Sequence, residues 1–131
     1  SVLSWSPQSL ANTAWAFASL DLLNPPLMDA IAAASMPKIS EFKPQELMNL
    51  AWAFSTLGLF NEPLLKAISE AALAKIHEFN AHDLSGLAWS FSVLGYRDVP
   101  LLESISEASL ASLAEFKPQD LANTAWSFAN L

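Results

Sequence analysis

The sequence has no cysteine, and only three of its 131 residues are glycine. Without cysteine the chain can form neither a disulfide framework nor a zinc site built from thiolates. The glycines, Gly58, Gly86 and Gly95, are scattered, so the chain also lacks the glycine-rich loop that cradles phosphate groups. These absences exclude several common kinds of functional site.

Basic residues are also scarce. Six Lys and Arg stand against thirteen Asp and Glu, which gives a formal net charge of -7 at pH 7. Proteins that bind nucleic acids normally neutralise several phosphates with Lys and Arg. The charge balance therefore favours a protein partner over a nucleic acid, with an affinity that does not come from attraction to phosphate.

The first twenty residues carry no charge, as a membrane span would, but they also contain Pro7, Gln8, Asn12 and five serines. A spanning helix needs about twenty predominantly apolar residues. The same pattern returns later in the chain with acidic residues in it. We therefore expect no membrane span, and no signal or targeting peptide is recognisable.

A motif that contains tryptophan occurs four times with a constant step of 37 residues, at Trp15, Trp52, Trp89 and Trp126. The aromatic residues that open the units keep the same step, at Trp5, Phe42, Phe79 and Phe116. A fixed period of this size is typical of stacked repeats. The sequence thus predicts an all-α fold, an α-solenoid of helix-turn-helix repeats with about three and a half units.

We expect residues 1–131 to form a single α-solenoid segment. Its repeats are residues 5–41, 42–78 and 79–115 and a partial unit 116–131, while residues 1–4 are the tail of a preceding repeat. A solenoid needs polar caps at its ends, and residues 121–131 read as an apolar helix without a cover. The segment is therefore expected to continue in a longer array or to be covered by partners.

Each unit is predicted to contain two helices, and proline and glycine mark their ends. Proline suits the first helical position, and glycine suits the left-handed residue that closes a helix. The first helices are expected to begin at Pro7, Pro44 and Pro118 and to stop at Asp21, Gly58 and Gly95. The second helices are expected to begin at Pro26, Pro63 and Pro100. Pro37 should end or kink the second helix of the first unit early.

The first helices are predicted to have an apolar and a polar face. Leu47, Ala51, Phe54 and Leu57 fall on one side of a helix and should pack against the second helix. The opposite side carries amides and acids and is expected to line the concave surface of the solenoid. The residues predicted to face a ligand are Gln8, Asn12, Gln45, Glu46, Asn49, His82, Asp83, Gln119, Asp120 and Asn123.

Two alternatives stay open for the asparagines of this face, Asn12, Asn49 and Asn123. Amides donate and accept hydrogen bonds at once, so the row could read an extended ligand one unit at a time. The amides could instead bond to neighbouring helices and hold the repeats in register. The tryptophans border the same face, and we expect them mainly to pack between repeats, because the small residues Ala11 and Ser85 leave room for an indole.

Catalysis is not expected, because no nucleophile, base and orienting group recur together. His77 and His82 occur in one unit only, and a metal site would need a further ligand at suitable geometry. We predict no metal, no cofactor and no small-molecule substrate. Lys43 and Lys117 lie where first helices begin, and helix N-termini can hold phosphates.

The run from Pro118 to Leu131, Pro-Gln-Asp-Leu-Ala-Asn-Thr-Ala-Trp-Ser-Phe-Ala-Asn-Leu, resembles the octotricopeptide repeat family. The period is closer to that of the related heptatricopeptide repeats. The resemblance covers the whole chain, and it implies a paired-helix solenoid in a chloroplast or mitochondrion, where members of these families bind organellar RNA for its maturation, stability or translation.

The charge balance and the resemblance together lead to one expected function and one alternative. The expected function is a scaffolding module without enzyme activity that holds other protein subunits within an organellar complex. The alternative is sequence-selective binding of organellar RNA, with one base per unit placed against residues such as Asn49.

Overall fold

The computed structural model describes residues 1–131 and contains seven α-helices and no β-strand, which confirms the predicted all-α fold. The helices are α1 Pro7–Ser19, α2 Pro25–Ser35, α3 Pro44–Thr56, α4 Glu62–Ala74, α5 Ala81–Val93, α6 Val99–Ala111 and α7 Pro118–Ala129. Short 3-10 turns lie at Val2–Ser4, Met36–Glu41, Ile76–Glu78 and Leu113–Glu115. None of the helices has the length and apolar character that a membrane crossing requires.

The first helices of the units end as the sequence predicts. Gly58 and Gly95 both have a φ of 69°, and Asp21 has a φ of 53°, so all three residues are left-handed. The amide of the residue after each of them donates to a carbonyl in the last turn of the helix, as in the bond from Leu59 N to Phe54 O at 2.9 Å. This arrangement satisfies carbonyl groups that the end of a helix would otherwise leave without a partner.

Each second helix begins one residue before the predicted proline, because an Asn or Asp side chain caps it. Asn61 Oδ1 accepts a hydrogen bond from Leu64 N at 3.1 Å, and Asn24 and Asp98 cap α2 and α6 in the same way. Pro37 ends α2 early, as expected. Helix α2 stops at Ser35, whereas the equivalent helix α4 continues through Ala74.

The core runs between the two helices of each unit. Leu47, Ala51 and Phe54 of α3 are buried, and Leu57 is partly buried against the same core. Leu64, Leu65 and Ile68 of α4 are buried as well. The aromatic residues that open the units, Phe42, Phe79 and Phe116, are also buried.

Helices α1, α3, α5 and α7 pack side by side in one continuous row. The second helices contact one another much less and pack mainly on the 3-10 turns and on the first helix of their own unit. The two stacked rows are the α-solenoid arrangement that the repeat predicts. We refer to α1, α3, α5 and α7 as the inner row and to the second helices as the outer row.

Candidate functional site

A groove of about 660 Å³ runs across the inner row of helices. Four helices contribute to it, and its walls combine indole rings, amides and a few ionisable groups. The residues that line it are Trp15, Met48, Asn49, Trp52, His82, Ser85, Gly86, Trp89, Lys117, Gln119, Asp120 and Asn123. We refer to this surface as the groove.

Five of the ten residues predicted to face a ligand lie in the groove, and so does one of the two predicted phosphate contacts. The five are Asn49, His82, Gln119, Asp120 and Asn123, and the phosphate contact is Lys117. Gln8, Asn12, Gln45 and Lys43 are exposed outside the groove, Glu46 is partly exposed, and Asp83 is buried. The structure therefore brings half of these residues together on one surface, and their contact with a ligand stays a prediction.

The side chains of Asn12, Asn49 and Asn123 make no hydrogen bond within the chain. Asn49 and Asn123 are partly exposed at the groove, and Asn12 is exposed on α1. The contacts between helices that would hold the repeats in register through these amides are not formed. The donors and acceptors of Asn49 and Asn123 thus face solvent at the groove, where a ligand could reach them.

The acidic residues of the predicted stripe cap the helices on which they lie. Glu46 Oε1 accepts from Lys43 N at 2.9 Å, and Asp120 Oδ2 accepts from Lys117 N at 3.2 Å. Asp83 Oδ2 accepts from Asn80 N at 3.4 Å. Each carboxylate satisfies a free amide near the positive end of a helix dipole. These hydrogen bonds were not predicted from the sequence.

Burial affects the ionisation of one of these acids. Desolvation raises the pKa of Asp83 above its ordinary value, and the hydrogen bond from the Asn80 backbone and the nearby His82 offset part of that rise. Asp120 is also buried, and its Oδ1 lies 3.6 Å from His82 Nδ1 across the groove wall. Asp83 is therefore a buried cap of α5. The Asp120 carboxylate both caps α7 and lies close to the His82 ring.

The tryptophans combine packing between repeats with exposure to the groove. The ring centroids of Trp15 and Trp52 lie 6.2 Å apart with their planes tilted by 31°, so the indoles of neighbouring units touch. Trp15 is nevertheless 46% exposed, and Trp52 and Trp89 are partly exposed. The expected packing between units is present for the first pair, and exposed ring surface remains for a ligand.

The amide row is interrupted in the third unit, where Gly86 stands at the asparagine position. A Cβ on Gly86 would lie 2.7 Å from Cγ and 2.7 Å from Sδ of Met48 in the neighbouring helix. The position of Met48 is held by Ala11 in the first unit and Ser85 in the third. A long side chain from α3 thus fills the space that an asparagine would need on α5. Met48 is therefore part of the groove wall, a position that was not predicted from the sequence.

Two of the five lysines bind the chain internally. Lys38 Nζ donates to Leu3 O at 3.1 Å and Trp5 O at 3.0 Å, and Lys75 Nζ donates to Ser40 O at 2.9 Å and to Phe42 O. Both join the end of a second helix to the linker that opens the preceding first helix. The spacing of Lys38 and Lys75 equals the repeat period, so the sequence marks them as equivalent positions without identifying the carbonyls that they bind.

The histidines lie at separate places. His82 lines the groove, whereas His77 lies in the 3-10 turn Ile76–Glu78, with its Nε2 at 3.9 Å from Glu78 Oε2. No three His, Cys, Asp or Glu side chains are grouped so that they could hold a metal ion.

Comparison with known proteins gives one family. A family model described as RNA-editing substrate-binding complex 6 protein (RESC6) matches residues 2–131. A search of curated proteins found no match. The match covers almost the whole chain, but it is not specific to the octotricopeptide or heptatricopeptide repeats.

Proposed function

The chain belongs to the RNA-editing substrate-binding complex 6 protein family, and from this membership we propose that it is a subunit of an RNA-editing substrate-binding complex. Within that complex the solenoid serves as a scaffold without catalytic activity that holds other protein subunits. The setting we propose is an organelle, a mitochondrion or a chloroplast. The organelle and the kinship with octotricopeptide and heptatricopeptide repeats rest on the resemblance of the motif and its period.

The scarcity of Lys and Arg at the groove is the observation that carries this proposal. The chain has only six Lys and Arg, and the ammonium groups of Lys38 and Lys75 already donate hydrogen bonds to backbone carbonyls. Lys117 is the only Lys or Arg that lines the groove, and it lies beside the buried Asp120. Binders that follow a phosphate backbone use several contacts of this kind. A groove with one lysine is better suited to a segment of protein.

The lining of the groove supports a protein ligand in a second way. The exposed surfaces of Trp15, Trp52 and Trp89 offer a large apolar contact area at little cost in conformational entropy. The free amides of Asn49 and Asn123 can pair with the N–H and C=O groups of an extended chain. In this mechanism the indoles supply affinity, and the amides fix the register of the partner.

Single-stranded RNA is the second candidate, and the same indoles favour it. Aromatic side chains stack on bases, and amides can bond to base edges. Lys43 and Lys117 precede the N-termini of α3 and α7, where phosphates are favoured. In this case Asn49 and Asn123 would each face one base.

Ribonuclease treatment separates the two functions in the assembled complex. The full-length protein carries an affinity tag, and its association with the other subunits is measured before and after RNA is digested. We expect the association to survive digestion and to weaken when both Asn49 and Asn123 are changed to Ala. Loss of the subunits on digestion would overturn the scaffold function and would support RNA binding.

The purified chain provides an independent measurement. Its affinity for a labelled single-stranded RNA is titrated against salt, because binding through phosphates weakens steeply as salt rises. If the protein is a scaffold, we expect no measurable affinity for the RNA even at low salt. Tight binding with a steep salt slope would contradict it.

A further inference from the structure

The lysine contacts between units stop at the third unit. Lys38 and Lys75 stand at equivalent positions after α2 and α4, and Ser112 holds that position after α6. The backbone is the same in all three places. Lys38 has φ -118° and ψ 19°, Lys75 has φ -134° and ψ 26°, and Ser112 has φ -120° and ψ 23°. A lysine at position 112 would therefore start from the same direction as the other two.

The carbonyls that such a lysine would reach are His77 O and Phe79 O, because they are equivalent to the pairs bound by Lys38 and Lys75. Neither of these carbonyls accepts a hydrogen bond within the chain. Ser112 Oγ cannot serve them, since it donates to Ala108 O of its own helix at 2.9 Å. Two backbone acceptors are thus left in an arrangement that holds an ammonium group twice elsewhere in this molecule.

A cavity of about 570 Å³ opens at this place. Its walls include His77, Phe79 and Ser112 and three carboxylates, Glu78, Glu107 and Glu115. No Lys or Arg lines it. The three carboxylates are exposed, so the cavity combines an accessible entrance with negative charge.

We propose that this cavity is a binding site for a lysine side chain of a partner protein. The ammonium group donates to His77 O and Phe79 O as Lys75 Nζ does to Ser40 O and Phe42 O, and one of the carboxylates balances its charge. The aliphatic stem lies along Ala108 and Ala111 in the cavity wall. The site lies away from the groove and does not depend on what the groove binds.

The occupant is a lysine rather than an arginine or a metal ion, because of the precedent within the chain. In both equivalent places a single ammonium nitrogen bonds to two carbonyls, which suits the compact donor group of lysine. The cavity also leaves room for a side chain that enters from solvent. A partner that presents an exposed lysine on a neutral or basic segment fits this chemistry.

The test uses the purified chain labelled with ¹⁵N and an acetylated, amidated Gly-Gly-Lys-Gly-Gly peptide. We expect saturable shifts of the amide signals of Glu78, Phe79, Asn80 and Ser112. The same peptide with norleucine in place of lysine lacks the charged donor and should bind roughly ten-fold more weakly, which is the usual worth of a hydrogen bond to a charged group. Butylammonium tests a free amine, and binding as tight as that of the peptide would overturn the assignment to a protein partner.

Ser112→Lys is the decisive variant, because it supplies the ammonium group from within the chain. It should abolish peptide binding and raise the melting temperature by a few degrees. Leu110→Lys is the matched control, since Leu110 is 70% exposed and does not line the cavity. It adds the same charge at the same end of α6 and should leave peptide binding intact. Equal peptide-induced shifts of the amide signals in both variants, or no saturable shift in the original chain, would overturn the proposal.

Discussion

The Met48 side chain of α3 takes the space in which Gly86 of α5 would carry a side chain, with Cγ and Sδ each 2.7 Å from the Cβ position. The equivalent pairs between the other units are Ala11 with Asn49 and Ser85 with Asn123. A small residue thus faces an asparagine at two junctions, and a methionine faces a glycine at the third. The two residues at each junction complement each other in size.

Replacing Gly86 by Asn should destabilise the fold, because Met48 must leave its place. We expect a loss of about 1–3 kcal/mol in the free energy of unfolding, as for other overpacked sites. Met48→Ala combined with Gly86→Asn recreates the Ala11–Asn49 pair and should be more stable than the sum of the single changes implies. Urea unfolding of the four proteins in the cycle measures the coupling. Strictly additive effects would show that the two side chains do not compete for space.

Removing the ammonium group of Lys75 should weaken the junction between the first two units. Lys75→Met keeps most of the aliphatic stem but leaves Ser40 O and Phe42 O without their donor. A loss of about 1–3 kcal/mol is expected for bonds to a charged group. Lys66→Met is the control, because Lys66 is exposed on α4 and its replacement should change stability by less than about 0.5 kcal/mol. Equal losses in the two variants would show that only net charge matters.

Asp21 is the one residue other than glycine with a positive φ, and it stands where Gly58 and Gly95 stand in later units. Asp21→Gly should stabilise the chain by about 0.5–1 kcal/mol, since the left-handed conformation costs a residue with a Cβ more than it costs glycine. Gly58→Ala should have the opposite effect by about 1 kcal/mol or more. Thermal unfolding checks both. A destabilised Asp21→Gly would mean that the carboxylate makes a contribution larger than this strain.

Asp83 should cost stability at neutral pH, because burial raises its pKa in the folded state. The folded protein then binds the proton more tightly than the unfolded chain, so the contribution of this group falls as pH rises from 3.8 through the raised value. Asp83→Asn keeps an acceptor for the Asn80 amide without the charge. We expect it to be more stable than the original chain at pH 7, with the difference vanishing below pH 3.8.

The control for Asp83 is Glu46→Gln, which makes the same chemical change at the equivalent cap of α3. Glu46 is partly exposed, so no comparable gain is expected there. Melting temperatures of the three proteins are compared across the acid range. If Asp83→Asn were less stable than the original chain at pH 7, the attraction of the carboxylate to the helix terminus would outweigh its desolvation.

Replacing the asparagines of the groove should weaken partner binding without changing the stability of the fold. Asn49→Ala together with Asn123→Ala removes no hydrogen bond within the chain, so the melting curve should stay nearly unchanged. Association with the partner subunits should fall roughly ten-fold, which corresponds to one or two hydrogen bonds lost at the interface. Asn12→Ala is a control outside the groove. A large fall in the melting temperature of the double variant would show that these amides instead hold the repeats in register.

Much of this fold was readable from the sequence, because the repeat is regular. The step between the tryptophans fixes the number of units, and Gly58 and Gly95 end their helices where a left-handed residue is needed. The groove followed from the position of Asn49 and Asn123 on the face opposite Phe54. These features depend on local chemistry and helical periodicity, which a single sequence contains.

The missed features depend on contacts between units. Met48 and Gly86 lie a full repeat apart along the chain, and their fit becomes visible only when α3 and α5 are side by side. Lys75 reaches Ser40 O because a 3-10 turn follows the preceding second helix, and the sequence does not reveal that turn. The pattern predicted Asp83 on the surface, but the folded chain buries it.

The unequal packing of the two helix rows has a mechanical consequence. The inner row is continuous, whereas the outer helices touch one another sparsely. Because few contacts join the outer helices, we expect the outer row to separate more easily than the inner row when the solenoid bends. Flexing of this kind would widen or narrow the inner surface without unfolding any single unit.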